Sequence, residues 1–307
     1  MRKGLFEDSS PFTQLIMLVF CMVTCVLLFM LIGLLLASFV FGVPIAELMI
    51  VPNGGKAALH LNLMRYLQIL QGVGFFVVPS FFAAYLFSGK ASAYLKLNQT
   101  VPSKWFGAVL LLMLAAIPCI NLIITLNELI VFPKSLSGFE QRLRNLEEAA
   151  RQLTELFLKV DHAGGMFFNI FMIALLPAIG EELIFRGILQ KIFTRWTGNL
   201  HVAIIVSGFL FSLMHMQFYG FFPRWLLGVM FGYLLVWSGT LWLPIFAHFV
   251  NNAVAVFVSF FIHKGLISDQ LEIIGSTWKD IPLTIVALVM CVWLLRKMYK
   301  NHKFINS

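Results

Sequence analysis

From Pro11 to Phe41 the chain runs for about thirty residues without a charged side chain. A stretch of that length leaves few folds open. Roughly 20 apolar residues in a helix cross the hydrocarbon core of a bilayer. The run is also too long for the roughly 7–15-residue apolar core of a cleaved signal peptide, so it reads as an uncleaved first span, 12–41. Comparable runs lie near 64–87, 105–131, 164–193, 201–219, 224–238, 241–262 and 282–296. Pro223 and Pro244 interrupt the later ones, where proline sets boundaries or kinks. The runs are continuous rather than alternating, which argues against a membrane β-barrel. Across 307 residues, 60% are hydrophobic and 12% charged, about half the charged share of an ordinary soluble domain. The predicted fold class is all-α: a polytopic bundle of about eight transmembrane helices.

Charge is distributed as in a membrane protein. Lys90, Lys96 and Lys104 fall in one loop, Lys191 and Arg195 follow the fourth span, and Arg296, Lys297, Lys300 and Lys303 lie in the tail. With eight spans these regions share a side with Arg2 and Lys3, and the basic side is cytoplasmic. The expectation is an integral protein of a bacterial inner membrane with both termini cytoplasmic. The net charge of +8 is then mostly this bias, and no nucleic-acid partner is needed. Cys21, Cys25, Cys119 and Cys291 sit in apolar segments and read as small buried hydrophobes.

One segment breaks the pattern. Phe139, Leu143, Leu146, Ala150, Leu153, Phe157 and Val160 repeat at steps of four and three, one stripe of an amphipathic helix. Charges of both signs occupy its other face, unlike a lipid-binding basic patch. It can lie on the bilayer, cover the bundle or pair with a partner. The expected organisation is one membrane domain, 1–307. It comprises N-terminal spans at 12–131, an extramembrane amphipathic helix at 134–162, a core at 164–262, and a last span with basic tail at 282–307.

Polar side chains inside spans are costly and usually face a cavity or a partner. In the second half they are Glu181, Glu182, Arg186, His215, His248, Asn251 and Asn252. Glu182 and Arg186 are four apart on a helix and can pair. Glu181 is turned about 100° from Glu182 and can face a cavity, where a low dielectric suits a carboxylate to proton transfer. Phe211 and His215, and His248 and Asn252, share the same four-residue spacing. Gly208, Gly228, Gly232 and Gly239 permit close helix approach. A carboxylate pair, two histidines and an asparagine on three spans supply a base, a proton carrier and donors for an oxyanion. On spacing alone a hydrolase and a transporter stand level. His60 and His201, near span ends, are set aside.

The stretches EELIFRG, FSLMH and HFVNN resemble the three motifs EExxxR, FxxxH and HxxxN of the CPBP intramembrane proteases, the CAAX prenyl protease type II or Abi family. The matching residues are Glu181, Glu182 and Arg186, then Phe211 and His215, then His248 and Asn252, over roughly 165–260. Three motifs in order, all within spans, are specific where each alone is weak. The resemblance implies a bacterial member with an intramembrane polar cavity and cleavage of a peptide bond near the membrane surface. By that analogy Glu181 and His215 activate a water, His248 and Asn252 stabilise the oxyanion, and Arg186 and Glu182 hold the cluster.

No cofactor is firmly implied. A divalent metal such as zinc is one reading, with Glu181, His215 and His248 as ligands and one position left for water. The HExxH helix of many zinc proteases is absent, and water activation without metal is the favoured alternative. The expected partners are a peptide or lipidated protein substrate and the lipid bilayer. Competing functions are a membrane transporter or proton relay and a non-catalytic bacteriocin-immunity or partner-binding protein. No internal repeat supports the transporter.

Overall fold

The computed structural model describes residues 3–42 and 57–305, the side chains of 57–60 and 301–305 excepted. Arg2, one of the residues used to orient the chain, lies outside them. The described residues form helices and no strands. In chain order they are α1 (Pro11–Phe41), α2 (Leu61–Ser88), α3 (Lys104–Glu128), α4 (Ser137–Leu158), α5 (Ala163–Thr197), α6 (Leu200–Leu213), α7 (Phe221–Ser238), α8 (Trp242–His263) and α9 (Ile281–Ile305). The protein is a polytopic, all-helical membrane protein.

Among the described residues, seven helices are long and apolar enough to cross a membrane. The expected span 201–219 is the exception. Its helix α6 has 14 residues, about 21 Å at 1.5 Å per residue against some 30 Å of hydrocarbon. The chain leaves the helix after Leu213 and turns through Met216, at φ 54°. Backbone freed in this way needs protein partners near a bilayer, and it has them. Asn127 of α3 donates to the carbonyls of Phe218 and Tyr219 at 2.8 and 2.6 Å. The Tyr219 amide donates to Glu147 of α4 at 3.1 Å, and the Ser212 hydroxyl donates to the Phe221 carbonyl at 2.6 Å. Burial pushes the Glu147 carboxyl up, partly offset by that amide.

Local signals set the helix ends. Ser10 caps α1 through the Thr13 amide, with Pro11 at the first turn, and Gly42 ends it in the left-handed region. Asn199 caps α6 through the amides of His201 and Val202. Within α5, Pro177 has no N–H for the Ile173 carbonyl four residues back, and a π-helical turn, Ile170–Leu175, lies just before it. A second π-helical turn, Leu183–Leu189, follows Glu182.

The two halves of the chain share one core. Leu18 and Met22 of α1, Ala83 and Phe87 of α2, and Phe185 and Ile188 of α5 are buried together with Phe211 and Leu235. Gly180 allows one close approach: a Cβ there would lie 2.7 Å from Phe76 of α2. Most outward side chains of α1 and α9 are exposed apolar residues, among them Phe20, Leu27, Leu31, Val286 and Val289, as lipid-facing helices require. On α4 the apolar stripe behaves similarly. Phe139, Leu146 and Leu153 are exposed, while Phe157 and the following Val160 are buried. Of the cysteines, Cys21 and Cys291 are buried, and Cys25 and Cys119 are half-buried.

Candidate functional site

Three helices, α5, α6 and α8, bring motif residues to one cavity of about 340 Å³. Glu181 comes from α5, Phe211 from α6, His215 from the turn after it, and His248, Asn251 and Asn252 from α8, while α7 adds Arg224, Leu227 and Phe231. Glu182 and Arg186 do not line it. They stand behind it, both side chains fully buried, with Arg186 Nη1 2.9 Å from Glu182 Oε1.

The supporting contacts are specific. Arg186 Nη2 donates to the Gly228 carbonyl at 2.8 Å, and its guanidinium lies 4.5 Å from the Phe211 ring centre and 5.4 Å from that of Phe231. Glu182 Oε1 also meets His248 Nδ1 at 3.0 Å. One carboxylate oxygen thus joins the guanidinium and the imidazole. The Phe231 ring stacks on His248 at 5.4 Å, and Phe211 meets His248 edge-on at 5.6 Å. His248 is stacked on one face, met by a second ring and held at one nitrogen.

Hydrogen-bond chemistry fixes which nitrogen of each histidine faces the cavity. His215 Nδ1 is 2.9 Å from the Phe211 carbonyl. A carbonyl only accepts, so Nδ1 carries the proton and Nε2 of the neutral ring presents a lone pair. His248 Nδ1 donates to Glu182 by the same logic. Both Nε2 atoms approach Glu181 Oε2, from His215 at 4.0 Å and from His248 at 3.9 Å. Glu181 Oε2 is itself buried without a hydrogen-bond partner. These separations exceed a direct hydrogen bond. They match an oxygen held off the line at about 2.8 Å from each atom.

Asn252 Nδ2 donates at 3.3 Å to the Ile173 carbonyl, the one that Pro177 cannot serve, and its Oδ1 accepts from Asn251 at 3.1 Å. A proline on α5 thereby orients an amide on α8. His201 is elsewhere, with its Nδ1 2.8 Å from the Tyr233 hydroxyl.

The donors suggested for zinc, Glu181, His215 and His248, are the right types, but their spacing does not suit a metal. Three ligands at about 2.1 Å in a tetrahedral shell lie roughly 3.4 Å apart, less than the separations found here. Among the described residues no group of three or more His, Cys, Asp or Glu side chains is disposed to hold a metal ion.

Sequence reading missed Arg224 and Phe231. Arg224 stands at the first turn of α7, where a charge looks like an ordinary span boundary. Phe231 is one of 32 phenylalanines and carries no signal of its own.

Comparison with known proteins meets this geometry at the same residues. Residues 163–254 match the model of a family described as Type II CAAX prenyl endopeptidase Rce1-like. This stretch is Rce1-like. It contains all seven residues carried over from the CPBP motifs. Two relatives in Bacillus subtilis (strain 168) are similar to part of the chain. One, named Sporulation-killing factor biosynthesis protein SkfC, is 34% identical over 103 residues, covering 30% of this chain and 20% of the relative. The other, Uncharacterized protein YpbD, is 32% identical over 93 residues, 28% of this chain and 43% of the relative. The chain therefore spans less than half the length of either. No solved structure matches the chain.

Proposed function

We propose that the protein is an intramembrane endopeptidase that hydrolyses a peptide bond of a membrane-associated or lipidated protein near the membrane surface. The observation that carries this reading is the convergence of His215 Nε2 and His248 Nε2 on the unpartnered Glu181 Oε2. A water at that point has a carboxylate to take its proton and an imidazole lone pair to orient it. The Rce1-like match over the same residues supports peptide-bond hydrolysis over proton transport.

In this mechanism Glu181, aided by His215, removes a proton from water as the oxygen attacks the scissile carbonyl. His248, with Nδ1 bound to the Glu182 carboxylate, can carry a second proton on Nε2 and donate it as a hydrogen bond to the developing oxyanion. The cluster would then hold two carboxylates against a guanidinium and an imidazolium, a balance that suits a buried site. Asn252 is the second donor, its amide having one N–H beyond that used by Ile173. The proton on Glu181 passes to the leaving amine. No step is routed through a metal.

Comparing protein termini in membranes of cells carrying wild type or Glu181→Gln tests the proposal. Termini made only by wild type would support it and name the substrate. Their formation in isolated membranes is expected to survive 1,10-phenanthroline. Identical maps from an equally abundant, folded variant would end the hydrolase reading, and loss of cleavage on chelation would end the metal-free one.

A further inference from the structure

A second cavity, of about 500 Å³, lies where the end of α1 meets the starts of α2 and α5. It shares no lining residue with the candidate reaction centre. Arg65, Tyr66 and Ile69 of α2 line it, with His162, Gly164 and Phe168 across from them.

Arg65 gives this cavity its chemistry. Its Nη2 donates to the Phe157 carbonyl at 3.1 Å, and the guanidinium carbon lies 5.8 Å from the Phe168 ring centre. Its Nε is buried and makes no hydrogen bond. Among the described residues no carboxylate forms an ion pair with it. The cavity wall has no Asp or Glu, and Asp161, next to His162, meets His263 at 3.1 Å. A charge within a span is costly and is normally paired, so this site lacks an anion. A second donor stands near it. His162 Nδ1 accepts from the Gly165 amide at 2.9 Å, so the neutral ring carries its proton on Nε2. The first turn of α5, with Gly164 at the wall, adds the positive end of a helix dipole.

Depth selects the kind of anion. Arg65 is 23 residues before Ser88 on α2, about 35 Å along the helix. The hydrocarbon core is some 30 Å thick. With Ser88 at one membrane surface, Arg65 reaches the headgroup level of the other. Beside the cavity Phe39 and Val40 of α1, Met64 of α2 and Phe167 of α5 are exposed apolar side chains, suited to acyl chains. We infer that this cavity binds the phosphodiester headgroup of an anionic phospholipid, with Arg65 as its anchor. A zwitterionic lipid fits less well, because its ammonium finds no acid in the wall. The inference does not depend on the hydrolase reading.

The test uses the purified full chain in neutral detergent, with dioleoyl phosphatidylglycerol or dioleoyl phosphatidylcholine added. Native mass spectrometry follows the tightest-bound lipid. Wild type should hold the glycerol lipid at least about tenfold more tightly than the choline lipid, the scale of one charge-assisted contact. Arg65→Gln should abolish that preference, and Lys90→Gln, beyond the other end of α2, should keep it. No preference in wild type would overturn the inference without any variant. So would a preference that survives Arg65→Gln, or one lost equally in Lys90→Gln. His162→Asp keeps a capping oxygen for the Gly165 amide and puts a carboxylate at the wall. It should also lose the lipid, and it decides the matter should Arg65→Gln fail to fold, undiminished binding counting against the inference. The bound lipid should withstand millimolar inorganic phosphate. Arg65-dependent thermal stabilisation by inorganic phosphate, with none by phosphatidylglycerol, would overturn the lipid assignment in favour of a free anion.

Discussion

Glu181 and Glu182 are neighbours in sequence with opposite surroundings. Glu182 is fully buried, and one of its oxygens holds both Arg186 and His248. Glu181 faces the cavity with an unpartnered oxygen. The two should therefore fail differently when altered. Arg186→Met leaves the Glu182 charge buried and poorly paired, a loss of about 3–5 kcal/mol, and should lower the thermal unfolding temperature and the amount of protein in the membrane. Glu181→Gln should leave both unchanged while cleavage falls by about 10²–10⁴-fold, the usual contribution of a general base. Thermal unfolding in detergent beside a cleavage assay checks both, and equal instability of the two variants would contradict the division of roles. This division was legible because the four-residue spacing of Glu182 and Arg186 and the rotation of Glu181 follow from helix geometry alone. The link from Glu182 to His248 was not, because it depends on how α5 and α8 cross.

That crossing depends on how tightly α6, α7 and α5 pack, which is a property of the elements. At Gly228 of α7 a Cβ would lie 2.9 Å from the Gly208 Cα of α6 and 3.2 Å from Arg186 Nη2. Neither neighbour can yield readily: one is backbone, and the other is tied to Gly228's own carbonyl. Gly228→Ala should cost about 1–3 kcal/mol, as overpacking does, and should reduce cleavage by shifting Arg186 and, through it, Glu182 and His248. Gly107→Ala on α3 is the control, since a Cβ there meets nothing within 4 Å. Paired unfolding and activity measurements on the two variants check this, and equal behaviour would show that the close approach does not position the site. The small residues could be read from the sequence as contact points. Which helix each would meet could not, nor could the end of α6, because its last expected turn is replaced by backbone bonded to Asn127 and Glu147 from distant parts of the chain.

For the whole molecule the short α6 matters less to topology than its length suggests, because contacts rather than helix length fix which ends meet. Arg195 at the end of α5 donates to Gln14 at 2.9 Å and to the Ser9 carbonyl at 3.2 Å. The Phe6 amide donates to the Leu86 carbonyl at 2.9 Å, Thr240 donates to the Gln99 carbonyl at 2.8 Å, and Trp237 meets Tyr299 at 5.9 Å. One end of the bundle therefore holds the start of α1, the end of α2, the α5–α6 turn, the α7–α8 turn and the end of α9. Lys90, Lys96, Lys104, Lys191, Arg195, Arg296, Lys297 and Lys300 gather there. At the opposite end α4 carries Arg142, Arg144 and Arg151 against Glu140, Glu147, Glu148 and Glu155, so it has no comparable excess of cations. The excess of Lys and Arg orients membrane proteins toward the cytoplasm, and we propose that orientation here, with α4 on the outer face. On a background lacking the four native cysteines, Ser92→Cys and Ser268→Cys mark the two ends, both positions being exposed. A membrane-impermeant maleimide added to intact cells should label Ser268→Cys and spare Ser92→Cys until the cells are opened. The reverse pattern would invert the protein, placing α4 and the loop that carries His215 on the cytoplasmic side and changing which proteins could reach the cavity.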